Sequence, residues 1–452
     1  MKNNKTNVPD TPRNRITDLL AGRAIVKGIV LQPGDQINVI REWVCRLESS
    51  VRRPSIFSFC LTVFHGRRVH SHEVGRFDVY STKLCQAARL SILTEQVTAT
   101  RKKIGVLTFH RCINYGSYWQ AKYLVDGLRV RGLDAEILDH RSSRVHAAEL
   151  RCALQPTLPV RPSRADRKEY RRKTESFIGA ISRLPISSPF ELDDPAAMDR
   201  YDAVVVGSDE VWNLTHPWYG GNRIFYGEGL NADRLVSYAA SFGNYPAAWG
   251  LNEDYSVLLH RFGLITVRDE NSSAIVSAAT GREVHVVLDP CLQFAREKTQ
   301  PTGSSDIAIV YGHNFSEGFT RAIRTWADQR NVRLVSFGYR NDWADEQVLD
   351  RGPQDFHEIF EHGRAVITNF FHGCVFAIKN ALPFLCEVSP YRSNKVQGLV
   401  STLGCEHRLL SDGFTPPDAA SLLDLQLEHT VFERLATMRS ASDQLLREAL
   451  AS

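Results

Sequence analysis

The sequence has no CxxC pair, no long apolar run and no strong excess of either charge, and each absence removes a class of protein. Its nine cysteines (45, 60, 85, 112, 152, 291, 374, 386 and 405) stand singly. That argues against a structural zinc site or a disulfide framework and for reduced thiols. The longest apolar stretch near the N-terminus, Ser55–Phe64, is far shorter than the roughly 20 residues of a membrane helix. The polar start MKNNKTNVPDTPRNR has no apolar segment after it, so no signal peptide is expected and the expected location is cytoplasmic. A formal net charge of +4 over 452 residues makes no case for nucleic acid, yet suits small anionic substrates. No fixed-period repeat, glycine-rich nucleotide fingerprint or metal-ligand cluster is present, and no cofactor or metal is expected.

What is there is a globular composition, 43% hydrophobic and 23% charged, on a chain too long for one core at roughly 100–200 residues per domain. Residues 1–100 hold two strand-like runs, Ala24–Leu31 and Ser55–Phe64, among basic and polar segments. They carry no motif and read as an N-terminal extension of unknown role. From Ile104 short apolar runs alternate with segments of helical periodicity, the mark of βαβ units and a parallel sheet. Strands are expected at Ile104–Phe109, Ala135–Leu138, Ala203–Val206, Val236–Ala239, Leu264–Val267 and Val284–Leu288. The helices among them are expected at Ser117–Arg131, Glu253–Arg261 and Asn271–Ala279. After a polar linker, Arg296–Ser305, strands are expected at Ile307–Tyr311, Arg333–Phe337, Ala365–Thr368 and Phe384–Glu387. Helices follow at Glu317–Gln329, Asp355–Glu361, Gly373–Asn380 and Lys395–Leu403. The expected organisation is therefore a first α/β half over 101–298, a second over 299–425, and a C-terminal helix over 426–452. The run RPSRADRKEYRRK (161–173) interrupts the first half. It reads either as a surface for an anionic partner or peripheral membrane contact, or as a solvated helix face or loop, which is the plainer reading.

Ligands in such folds sit beyond the carboxyl ends of the strands, so the polar clusters there are the candidates. After the first strand come His110 and the turn Asn114-Tyr115-Gly116-Ser117, which opens a helix whose free N–H groups suit an anion. His110 reads as a proton carrier or as a satisfied structural histidine. Gly207-Ser208-Asp209-Glu210 follows another strand. Asp209 can take a proton, bind a sugar hydroxyl or simply cap a helix, and Trp212 can stack on a sugar or fill core. Ser241 lies in SYAASFG. Arg268 begins RDENSS, where a guanidinium can grip a carboxylate or phosphate bidentately, or pair with Asp269 or Glu270. LDPCL (288–292) closes the first half. In TNFFHG (368–373), His372 and Gly373 sit at a strand-to-helix turn, and imidazole is the side chain best suited to proton transfer near neutral pH.

No one cluster decides the function, but their order does. FHRCINYGSYWQAKYL, VVGSDEVWN, SYAASFG, VRDENS, LDPCL and TNFFHGCVFAIKNALPF resemble, in sequence and succession, the polysaccharide pyruvyl transferases over roughly residues 104–410. The resemblance implies an α/β protein of two Rossmann-like halves in a GT-B-like arrangement. It implies transfer of pyruvate from phosphoenolpyruvate onto a glycan or lipid-linked sugar acceptor, leaving a ketal and releasing phosphate. On this reading Arg268 holds the donor and His372 is acid or base. Asp209 and the Asn114–Gly116 turn line the cleft. Many such proteins carry Arg or Ser two residues before the histidine, where this chain has Phe370. Arg392 and Lys395, near the next strand end, are the candidates to compensate. The alternatives are a different donor or acceptor, a glycosyltransferase using a nucleotide sugar, or a non-catalytic member of the fold.

Overall fold

The computed structural model describes residues 101–296, 298–299, 305–388, 393–410 and 420–451. The two expected strands before residue 100 lie outside these, as does Arg392. The first half runs β1 (Lys103–Leu107), α1 (Tyr115–Val130), β2 (Asp134–Ile137), β3 (His140–Arg141), α2 (Ser143–Ala153), α3 (Arg164–Ile181), β4 (Phe190–Glu191), β5 (Ala203–Val206) and β6 (Leu235–Ser237). It continues through α4 (Glu253–Leu259), β7 (Thr266–Val267), α5 (Glu270–Thr280), β8 (His285–Val286) and α6 (Pro290–Gln293). The second half runs β9 (Ile307–Tyr311), α7 (Glu317–Arg330), β10 (Arg333–Phe337), β11 (Glu346–Val348), α8 (Pro353–His362), β12 (Ala365–Thr368), α9 (Phe371–Lys379), β13 (Phe384–Glu387), α10 (Ser393–Leu403) and β14 (Leu409–Leu410). The helix α11 (His429–Ala451) ends the chain.

Each half is built on a wholly parallel sheet. The first has the order β2-β1-β5-β6 and the second β11-β10-β9-β12-β13-β14. The central strands show why. AVVV of β5 and AVIT of β12 are buried at every position, as befits strands with helices on both faces rather than one solvated side. The expected strands at 236–239, 264–267 and 284–288 are shorter in the structure. Beyond β6 the ladder is broken at Ala239, whose φ is +54°, and only single bridges such as Ala240 to Val267 carry the sheet onward.

The stretch expected to be a break, 150–200, contains the 18-residue helix α3. Ser163 and Asp166 close a capping box at its start, which satisfies two backbone donors and fixes where the helix begins. The basic run is thus mostly helix. Its Arg161, Arg164, Arg167, Lys168, Arg171 and Arg172 are exposed, while Tyr170 and Lys173 are buried.

The halves share a core. Tyr115 at the start of α1 stacks on Phe356 of α8 at 4.5 Å and donates its hydroxyl to the Arg351 carbonyl at 2.7 Å. Trp119 Nε1 donates to the Pro353 carbonyl. The terminal helix α11 packs on α10 of the second half and also on α6 of the first. There Arg131 pairs with Asp443, and Arg234 donates to the Ala449 carbonyl. Among the described residues no helix is long and apolar enough to cross a membrane.

Candidate active site

A cavity of about 290 Å³ opens where the carboxyl ends of the strands in the two halves meet. The turn after β1 supplies Asn114 and Ser117, that after β5 Asp209 and Glu210, and that after β7 Arg268. From the second half come His313 after β9, Tyr339 after β10, and Phe370, Phe371 and His372 after β12; Lys395 on α10 completes the lining. Only close-packed parallel strands bring turns so distant in sequence to one place.

The wall begins at α1. Asn114 caps it, its side chain accepting the Ser117 N–H at 3.1 Å, and Ser117 donates its hydroxyl to Asp209 at 2.7 Å. Gly116 lies directly beneath His372. A Cβ at this position would stand 1.9 Å from His372 Nδ1 and 2.3 Å from its Cγ, so only glycine admits the imidazole. Gly207, at φ +114°, passes so close to the next strand that a Cβ would lie 2.4 Å from the Tyr238 carbonyl. This tight turn places Asp209.

Charge is concentrated on Asp289. The residue is buried just past β8, and its carboxylate accepts from Arg268 Nη1 at 3.0 Å and from the Cys291 N–H at 2.9 Å. His372 Nε2 lies 3.5 Å from the same carboxylate. Burial opposes ionisation of Asp289, but His372 and Arg268 outweigh it and hold the carboxyl well below the usual range. Arg268 also reaches to 3.7 Å from Asp209 and lies over the Phe371 ring at 4.4 Å. Asp209, Arg268, Asp289 and His372 therefore form one connected set. Close by, Lys395 pairs with Glu210, which also accepts from Asn213 at 2.7 Å. Burial resists ionisation there too, yet Lys395 holds Glu210 down at about 2.

Donor atoms of Asp289, Cys291 and His372 lie within 4.8 Å of one another, but this trio is ill suited to a metal ion. Arg268 already occupies the carboxylate, and burial pushes the Cys291 thiol far above its ordinary value, whereas a metal needs the thiolate.

Several expected residues sit elsewhere than in the cavity wall. His110 is fully buried, 3.1 Å from Asp139 and edge-on to His140. Tyr115 belongs to the core between the halves. Ser208 is buried and gives its carbonyl to Thr108. Ser241 donates to Asp269 at 2.6 Å, and Gly373 packs on Thr368. The alternative pairing of Arg268 with Asp269 or Glu270 does not occur. Asp269 instead caps α5 through Ser272 N. Asp209 caps no helix, because turns rather than a helix follow it. Trp212 is core, its Nε1 bound to the Phe225 carbonyl. α9 starts at Phe371, two residues before the expected start at Gly373, so His372 lies in its first turn rather than ahead of it.

Sequence reasoning named LDPCL but gave Asp289 no role, and it passed over Lys173 and Glu149, both of which line the cavity. The only local signal for Lys173 was its place on the apolar stripe of α3, with Tyr170, Thr174 and Phe177.

Two parallel Rossmann-like halves, with a charged cleft at the carboxyl ends of both sheets, define the GT-B-like class of architecture. The model of the family described as polysaccharide pyruvyl transferase matches residues 114–387, more than half of the chain, and the chain belongs to that family of transferases. No curated protein sequence matches it. Among solved structures, S. aureus MnaA with UDP is 13% identical at a TM-score of 0.44, covering 77% of this chain and 97% of that one. The Methanocaldococcus jannaschii UDP-GlcNAc 2-epimerase, with UDP-GlcNAc and UDP, is 10% identical at a TM-score of 0.38, covering 75% and 99%. The E. coli heptosyltransferase WaaC with ADP is 8% identical at 0.34, covering 77% and 99%.

Proposed function

We propose that this protein moves pyruvate from phosphoenolpyruvate onto hydroxyls of a sugar in a glycan or lipid-linked precursor, forming a ketal and releasing phosphate. The observation that carries the proposal is the Asp209–Arg268–Asp289–His372 set: Asp209, the fixed cation Arg268 and the imidazole of His372 line one cavity, and the ionised carboxylate of Asp289, buried behind them, holds Arg268 and faces His372. The donor is densely anionic, and pre-placed cations stabilise its charge without reorganisation. In the reaction, the donor's methylene carbon gains a proton as one sugar hydroxyl, losing its own, bonds to the adjacent carbon. The second hydroxyl then attacks that carbon as the C–O bond to phosphate breaks, so phosphate leaves with the bonding pair and takes up that hydroxyl's proton.

His372 is the group that moves a proton, with Asp289 orienting and stabilising its charged form. Asp209 receives or positions an acceptor hydroxyl, its carboxylate held by Ser117. Arg268 and Lys395 face the donor's charge. Because the donor is a cytoplasmic metabolite, the proposed site of action is the cytoplasm. The test is phosphate release from phosphoenolpyruvate with a panel of glycan and lipid-linked acceptors, beside thermal-shift titrations with phosphoenolpyruvate and with nucleotide sugars. Release dependent on an acceptor is expected. Stabilisation by a nucleotide sugar and none by phosphoenolpyruvate would overturn the proposal.

A further inference from the structure

Lys173 is the one basic residue of the run 161–173 that the fold turns inward. Two per cent exposed, it lies on the wall of the same cavity as Arg268 and His372. Its ammonium donates to the Gly338 carbonyl at 2.9 Å. It stands 4.6 Å from the centre of the Tyr339 ring and 4.9 Å from that of Tyr115. No carboxylate among the described residues comes within ion-pairing distance of it. A buried ammonium without a counter-ion is costly, and proteins normally pair or neutralise it. Rings and one carbonyl solvate it only in part, and two of its three N–H donors remain beyond the bond to Gly338.

We propose that Lys173 is a donor-binding residue whose missing counter-ion is an oxyanion of phosphoenolpyruvate. The inference rests on the proposed function and assigns part of the donor site to α3. It also supplies a cation to a cavity whose wall carries the apolar ring of Phe370. Burial lowers the Lys173 ammonium to about 7, which brings its proton exchange into the neutral range. An entering anion reverses the balance and draws in a proton. The titratable groups facing Lys173 are Tyr115 on α1, Tyr170 on its own helix, Tyr339 after β10 and the Cys152 thiol on α2. Burial raises Tyr115, Tyr170 and Cys152 above their ordinary values, which leaves them neutral in this range.

The test is calorimetric titration with phosphoenolpyruvate at pH 7.5–8 (roughly one unit above the lysine's lowered value), in buffers of different ionisation enthalpy. It compares the full chain with Lys173→Met and Lys173→Gln and records their melting. Both variants should melt cooperatively, bind the donor roughly 10- to 150-fold more weakly and take up less proton on binding. Unchanged affinity and proton uptake in the variants would overturn the inference and leave the proposed function standing. Loss of cooperative melting in both would make Lys173 a structural charge and equally overturn it. If the unaltered protein fails to bind phosphoenolpyruvate, the proposed function falls first and the inference with it.

Discussion

Replacing Gly116 with alanine tests the proposed catalytic geometry without touching a titratable group. The new Cβ would lie 1.9 Å from His372 Nδ1, 2.3 Å from Cγ and 2.6 Å from Cε1. Ordinary contact begins near 3.4 Å, so the imidazole must retreat by about 1.5 Å. That movement takes Nε2 out of its 3.5 Å approach to Asp289. A misplacement of about 1 Å costs on the order of 10²-fold in rate, and the expected fall in turnover is at least that large. Stability should change much less. Gly116 lies in the first turn of α1, where alanine gains roughly 0.5–1 kcal/mol over glycine through lower backbone entropy. Crowding against the imidazole costs roughly 1–3 kcal/mol in return. The assay is acceptor-dependent phosphate release, with donor affinity and melting measured on the same samples. Near-normal turnover in Gly116→Ala would refute the view that the imidazole acts from its place above α1.

His372→Asn keeps much of the side chain's size but removes proton transfer. Turnover should fall roughly 10²–10⁴-fold with melting and donor affinity nearly intact, and an unaffected rate would discard His372 as acid or base. As a lone surface grip, Arg268 would be expected to tolerate alanine with little change in melting. Its buried pairing with Asp289 alters that: Arg268→Ala strands a buried carboxylate and should cost roughly 3–5 kcal/mol of stability besides weakening donor binding, which denaturant unfolding measures. Glu149 is raised to about 7, chiefly by burial. The unfolded chain ionises it first, so its contribution to stability declines as pH rises from about 4.5 to about 7 and then levels off. The total is on the order of 3 kcal/mol. Glu149→Gln should flatten the stability profile in that window, and an unchanged profile would count against the shift.

The alternation of short apolar runs and helical segments was readable because strands buried on both faces need continuous apolar sequence, and a turn must follow each of them. The same logic put Asn114, Asp209, Arg268 and His372 at strand ends, where a cleft belongs. Lengths were less legible. β7 and β8 keep two residues each, since pairing stops where neighbouring backbone turns away, and apolar character continues past that point.

Residue roles depended on partners that no local pattern encodes. Whether Arg268 met Asp269 beside it or Asp289 across the sheet turned on how β7 and β8 lie together. Six cations of the run 161–173 face solvent and Lys173 faces the cavity, because one helix face must pack and the charge pattern does not say which. His110 and His372 were alike in sequence, each just beyond a strand. One met a buried carboxylate in the interior, the other the open wall of the cavity. Sequence by itself determined the family and the main succession of strands and helices, though not α2 or α3, because backbone periodicity and turn chemistry are local. The tertiary structure alone decided which charges met, because pairing is set by distance in space, as between Gly116 and His372, far apart along the chain and in contact in the fold.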